Sequence, residues 1–185
     1  YVPDIEPGLA LKTIARFSDC ITLTVEESKQ FFPKHPSRVV TGYPLRPGLD
    51  QWTIVEARNF FAFTGQLPVL LVLGGSRGAR SINQALVAAL PELLQEIQVI
   101  HITGRLDWPM VEQSRAGLSA GQLNRYRPYP FLYDEIGAAM KLADLALTRA
   151  GASTLGELPL FGLPAILVPY PYAWRYQRMN ASYMV

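Results

Sequence analysis

The spacing of apolar positions changes along the chain. Pro68-Val-Leu-Leu-Val-Leu73 is an unbroken apolar run ahead of a glycine cluster. It predicts a strand covered on both faces, as in parallel sheets. Ala79, Ile82, Leu86, Ala89, Leu90 and Leu93 then recur at helical spacing, with Pro91 expected to kink or split that helix. Gln98 to Thr103 is the next predicted strand, followed by a helical stretch from Trp108 to Ala116. A strand from Tyr126 to Leu132, a helix from Glu135 to Leu142 and a strand from Asp144 to Thr148 follow. A short helix from Thr154 to Phe161, a strand from Ala165 to Val168 and a helix starting near Trp174 complete the pattern. Five strands alternating with helices predict an α/β fold, a Rossmann-like doubly wound parallel sheet. Such sheets bind ligands at the carboxyl ends of their strands. Those ends are 74–78, 103–105, 132–135, 149–154 and 169–175.

Residues 1–47 read differently. A helix is predicted for Leu9 to Phe17, a strand for Cys20 to Val25, a helix for Glu26 to Phe32 and a short strand for Ser37 to Val40, which suits the end of another α/β unit. Residues 48–67 have weak periodicity and read as an interdomain linker, leaving 68–185 as a ligand-binding domain. The chain opens at Tyr1 without methionine and stops at Val185 inside a helical stretch, so a piece of a longer protein is expected.

With 49% hydrophobic and 17% charged residues, the 185-residue chain is long and apolar enough to build a core. A net charge of +2 with no dense Lys/Arg run argues against a nucleic-acid partner. A single cysteine, Cys20, excludes an internal disulfide framework, and His35 and His101 have no zinc-type spacing with it. No apolar run approaches the roughly 20 residues of a membrane span.

Two segments carry candidate chemistry. Leu73-Gly-Gly-Ser-Arg-Gly-Ala-Arg80 joins a strand to a helix. Its glycines let backbone approach a phosphate, the helix start offers free N–H groups, and Ser76 adds a hydroxyl donor; a tight turn without ligand is the alternative. It is neither Gly-x-Gly-x-x-Gly nor a Gly-Lys-Ser/Thr loop, so a nucleoside-triphosphate P-loop is excluded. Arg149-Ala-Gly-Ala-Ser-Thr-Leu-Gly-Glu157 places small residues at a strand end and Glu157 a turn into a helix. Glu157 has two open readings. It pairs with Thr154 in a capping box, or its acceptor-only carboxylate takes the two hydroxyls of a ribose diol. Gln177 and Asn180 suit sugar hydroxyls or a solvated face. His101 reads by default as a core histidine with one satisfied hydrogen bond. Arg46 suits a phosphate or plain exposure. Tyr170, Tyr172, Trp174 and Tyr176 suit a sugar pocket or packing.

In order, Gly74 to Arg80 with Asn83, His101-Ile-Thr-Gly104, Ala143-Asp-Leu145, Arg149 to Thr154 with Glu157, Gly162-Leu-Pro-Ala165, Val168-Pro169 and Gln177-x-x-Asn-Ala181 resemble the MurG family of glycosyltransferases. Pro3 to Leu9 and Gly42-Tyr-Pro-Leu-Arg46 resemble the end of that family's N-terminal domain. The resemblance implies a GT-B fold with this chain holding the C-terminal donor domain. It implies inverting transfer of N-acetylglucosamine from UDP-N-acetylglucosamine to undecaprenyl-diphospho-N-acetylmuramyl-pentapeptide, for peptidoglycan synthesis, at the cytoplasmic face of the bacterial membrane. No cofactor or metal is expected. Gly75, Ser76, Arg77 and Gly78 are implied for the diphosphate, with Arg149, Gly151 and Thr154 beside them and Arg46 near the nucleotide. Leu132 or Tyr133 is implied for the uracil edge by backbone, Glu157 for the ribose and Gln177 for the sugar. The catalytic base is expected in the N-terminal domain, so this chain alone is expected to be inactive. Arg77 stands where glutamine is frequent in the family, and Tyr176 where histidine or glutamine usually precedes Gln177. The alternatives are a related transferase using another UDP-sugar or lipid acceptor, and a nucleotide-binding module without catalysis. A dinucleotide-dependent oxidoreductase fits less well, because Ser76 breaks its fingerprint and Thr103 stands where an acid would end the second strand.

Overall fold

The computed structural model describes residues 1–75, 78–172 and 176–185. Its helices are α1 (Leu9–Ile14), α2 (Ile54–Phe60), α3 (Arg80–Glu96), α4 (Trp108–Ser114), α5 (Ala120–Leu123), α6 (Ile136–Leu142), α7 (Thr154–Phe161) and α8 (Tyr176–Tyr183). Its strands are β1 (Ile21–Leu23), β2 (Arg38–Val40), β3 (Val69–Leu73), β4 (Gln98–Ile102), β5 (Tyr126–Tyr129), β6 (Leu145–Thr148) and β7 (Ala165–Leu167). Residues 26–31, expected to be α-helical, form a 3₁₀ helix. The chain divides into two compact units. One holds 1–46, 150–159 and 167–185; the other holds 47–149 and 160–166.

The second unit carries the sheet, in the order β5-β4-β3-β6-β7. The β3–β4, β3–β6 and β4–β5 pairs are parallel, with Leu71 opposite both Ile100 and Ala146. All five residues of β4 are buried, as expected of a strand covered on both faces. Along α3, Ile82, Leu86, Leu90 and Leu94 turn one apolar stripe inward. Pro91, expected to kink or split this helix, lies within it and does not split it. It is exposed, and a helix held by that stripe tolerates the lost hydrogen bond.

Residues 48–67, read from the sequence as a linker, are packed. Thr53 caps α2 through a reciprocal box with Glu56. Phe61 and Phe63 are buried, and Phe61 packs edge-on against Tyr129. The Arg127 guanidinium donates to the carbonyls of Phe61 and Ala62 while lying over the Phe63 ring. Gly137 lets α6 approach this segment, since a Cβ there would stand 2.0 Å from the Leu49 carbonyl oxygen.

The first unit is built on parallel strands β1 and β2, with Val2 bridging to Leu23. Val2, Ala15, Ile21, Leu23 and Phe32 form one cluster, and Ile5, Val25 and Leu155 a second. Asn180 of α8 is fully buried at the second cluster's edge. Its Oδ1 accepts the Ile5 N–H, and its Nδ2 donates to Asp4 and to the Ala150 carbonyl. Asn180 therefore holds three chain segments together rather than offering its amide to a ligand. Among the described residues, no helix is long and apolar enough to cross a membrane.

Candidate functional site

Strand order reverses between β3 and β6, so the crevice at their carboxyl ends is the switch point where such sheets bind ligands. The glycine loop leaves β3 here. A Cβ on Gly74 would lie 2.2 Å from the Ala79 nitrogen, and one on Gly78 would lie 2.3 Å from the Thr103 carbonyl oxygen. Gly75 and Gly78 have φ of 83° and 78°, a region glycine enters without strain. The Gly78 N–H donates to the Gly75 carbonyl. Ser76 and Arg77, assigned to phosphate from the sequence, lie outside the described residues.

Helix α3 starts immediately after this loop. Among the described residues no side chain caps it, and its first turn holds no acidic residue. Among the described residues, its leading N–H groups and positive dipole end are therefore unmatched by side chains. Arg149, at the end of β6, donates from Nη2 to Ser81 Oγ in that first turn at 2.9 Å. An arginine beside an uncapped helix start is suited to an anion such as a diphosphate.

A buried polar group lies under this loop. His101 on β4 receives the Tyr126 hydroxyl at Nδ1, 2.7 Å, and meets Asn83 Oδ1 from Nε2, 2.9 Å. Asn83 Nδ2 donates to the Thr103 carbonyl and to Asp107 Oδ2, each at 2.8 Å. Both ring nitrogens of His101 are thus satisfied, one more than expected. Burial pushes its pKa down to about 4, so the ring is neutral.

At the end of β5, Leu132 is buried and Tyr133 exposed. The Tyr133 N–H donates to the Glu135 carboxylate, 3.0 Å, whereas the Leu132 amide has no partner among the described residues. Arg105 donates to the Tyr133 hydroxyl and lies over the Phe131 ring.

In the first unit, α7 begins at Thr154 itself, so Thr154 is not a cap. Its hydroxyl donates to the Gly151 carbonyl at 2.6 Å, and the Glu157 N–H goes to the Ser153 carbonyl. The capping-box reading of Thr154 and Glu157 is therefore corrected. Among the described residues, the half-buried Glu157 carboxylate accepts no hydrogen bond. Tyr43, which the sequence reading passed over, packs where a Gly156 side chain would be, 2.7 Å from that Cβ position. Burial, and then the nearby Glu157 charge, hold the Tyr43 phenol above its ordinary range. A glycine preceding a candidate carboxylate was the signal available for that contact. Gln177 Oε1 accepts the Tyr170 N–H at 2.7 Å. Arg46 is exposed.

Residues 69–185 match the glycosyltransferase family 28 C-terminal domain. The chain belongs to that family. Similar curated relatives include proteins of Roseiflexus sp. (strain RS-1), 38% identical over 100% of this chain and 49% of the relative, and of Chlorobaculum parvum, 41% identical over 97% and 48%. Both are named UDP-N-acetylglucosamine--N-acetylmuramyl-(pentapeptide) pyrophosphoryl-undecaprenol N-acetylglucosamine transferase. This family 28 chain thus spans about half the length of the curated relatives it matches. Its structure resembles that of Acinetobacter baumannii MurG, with a TM-score of 0.71 and 25% identity over 98% of this chain and 48% of that one. The wall teichoic acid polymerase TagF shares the fold alone, with a TM-score of 0.59 and 13% identity. The parallel α/β fold of the GT-B type, expected from the sequence, is the one this family 28 chain has.

Proposed function

We propose that this chain is the donor-binding half of a transferase that moves N-acetylglucosamine from its UDP ester to a lipid-linked N-acetylmuramyl pentapeptide. The observation carrying this reading is the uncapped start of α3 at the sheet's switch point, with Arg149 beside it. Gly75, Ser76, Arg77 and Gly78 hold the diphosphate with backbone and side-chain donors, and the α3 dipole and Arg149 add positive potential. These groups meet negative charge that grows on the leaving UDP as the sugar bond breaks, so they stabilise the transition state more than the ground state. This role needs no metal. The acceptor's C4 hydroxyl displaces UDP directly, with inversion, and its proton passes to a base outside this chain.

For the nucleoside, Leu132 supplies the amide edge for uracil, because the Tyr133 N–H is engaged by Glu135. Glu157 accepts both ribose hydroxyls; its carboxylate has room for them once the capping box is gone. Gly151 and Thr154 shape the turn that precedes it. Gln177 donates to hydroxyls of the sugar, and Arg46 adds a positive charge for the nucleotide phosphates. A lipid-linked acceptor places the working enzyme peripherally at the cytoplasmic face of the bacterial membrane. A nucleic-acid partner has no part in this reading.

Glu157→Gln tests the proposal, with UDP and 2′-deoxy-UDP titrated into folded wild-type and variant chain. Glutamine loses the charge and one acceptor oxygen. The expected outcome is a ten- to hundredfold weaker UDP affinity, or roughly 1.5–3 kcal/mol. The wild type should also discriminate against the deoxy ligand. Equal UDP affinity in both proteins, or no discrimination by the wild type, removes Glu157 from the site.

A further inference from the structure

We propose that Tyr126, His101 and Asn83 are positioning residues that hold the glycine loop and the start of α3 in the register needed to grip a diphosphate. The inference rests on the donor-site reading and adds a set of buried residues that touch no ligand.

The argument starts from hydrogen-bond direction. The Asn83 amide nitrogen faces two acceptors, the Thr103 carbonyl and the Asp107 carboxylate. Two N–H groups meeting two oxygens leave only one orientation for the amide, with Oδ1 toward the histidine. His101 must then donate from Nε2, which makes Nδ1 an acceptor, and the Tyr126 hydroxyl supplies it. One proton arrangement satisfies the whole chain of bonds. Asp107 stands at the N-cap position of α4, yet it makes no cap bond there and is turned to Asn83 instead.

The far end of this chain is the atom that matters. The Thr103 carbonyl oxygen held by Asn83 is the oxygen against which Gly78 packs, at 2.3 Å from where a Cβ would be. Asn83 also belongs to α3, and its own N–H closes the helix onto Ala79, the residue after Gly78. One side chain therefore ties three parts together: the exit of the glycine loop, the first turn of α3 and the end of β4. Asn83 and His101 are fully buried and Tyr126 nearly so, among mostly apolar side chains of the sheet and of α3. A buried polar network that is fully satisfied selects one arrangement over near alternatives, at a desolvation cost an apolar core avoids. Here the arrangement selected is the one that aims the leading amides of α3.

The test separates positioning from general support by comparing ligands with and without phosphate. UDP and uridine are titrated into wild type, Asn83→Ala and Tyr126→Phe, each checked for native circular dichroism. Misplaced amides should weaken UDP binding by Asn83→Ala at least about tenfold while uridine affinity stays within about twofold. Tyr126→Phe removes only the hydroxyl that donates to Nδ1, and decides the matter if Asn83→Ala does not fold. It should shift UDP affinity in the same direction by about threefold, with uridine again unmoved. Nitrogen-15 spectra should show His101 protonated at Nε2 in wild type, and a mixed or reversed tautomer in Asn83→Ala. Equal losses for UDP and uridine would mean a structural role only and overturn the inference, as would unchanged UDP affinity in both variants. A wild type that binds uridine but gains nothing from the diphosphate overturns it as well. A wild type that binds neither ligand overturns the donor-site reading itself, and this inference with it.

Discussion

Single residues decide whether the loop and its support form. At Gly78, a side chain would meet the Thr103 carbonyl at 2.3 Å and would also have to adopt a φ of 78°. Backbone atoms cannot yield as a flexible side chain would, so Gly78→Ala is expected to cost about 2–4 kcal/mol and to weaken UDP binding. Urea denaturation and a UDP titration of the folded fraction check both effects; a variant matching wild type in each would remove Gly78's special place. His101 makes stability depend on pH. Burial lowers its folded pKa from 6.5 to about 4, so the unfolded chain binds the extra proton first as pH falls. Its contribution is present in full above about 6.5, declines through that window and is gone below about 4. The expected loss is roughly 3 kcal/mol. Urea midpoints between pH 7.5 and 4 should show this slope in wild type and a shallower one in His101→Gln. Identical slopes would show that His101 is not the group responsible. The burial of His101 was expected from the sequence, but its two partners were not, because Tyr126 and Asn83 arrive from 25 and 18 residues away.

The same four-residue signature behaves differently in different elements. Thr53-x-x-Glu56 and Ser119-x-x-Gln122 both close reciprocal capping boxes, on α2 and α5. Thr154-x-x-Glu157 has the same letters but makes no box, because α7 starts at Thr154 and its hydroxyl goes to Gly151. The helices at 54–60 and 120–123 were thus marked in the sequence by their caps, while their weak apolar periodicity hid them. A packed 48–67 segment has a measurable consequence. Phe61 is fully buried against Phe63 and Tyr129, so Phe61→Ala should lower the unfolding free energy by about 3–5 kcal/mol. A change below about 0.5 kcal/mol in a denaturant melt would return the segment to the status of a loose tether.

For the whole molecule, the proposed source of charge stabilisation is protein dipole and arginine, so UDP affinity of this chain should be the same with EDTA and with millimolar magnesium. A dependence above about tenfold in a calorimetric titration would bring a metal into the donor site. The parallel class was determined by the sequence alone, through its unbroken apolar runs at 68–73 and 98–103 and the helical stripe between them, whereas the strand order came from the structure. Local chemistry was legible as well: a glycine loop before a helix is visible as letters, because glycine's freedom and the helix start are both short-range properties. Only tertiary structure decided the rest. It kept α3 continuous through Pro91 because a stripe of buried leucines outweighs one lost hydrogen bond. It gave Asn180 to the interior of the first unit, turned the acceptor of Gln177 to the Tyr170 backbone and, among the described residues, brought no donor to the carboxylate of Glu157. Each of these outcomes rests on which polar atom finds a partner once distant segments have packed, and a linear spacing of residue types carries no record of that.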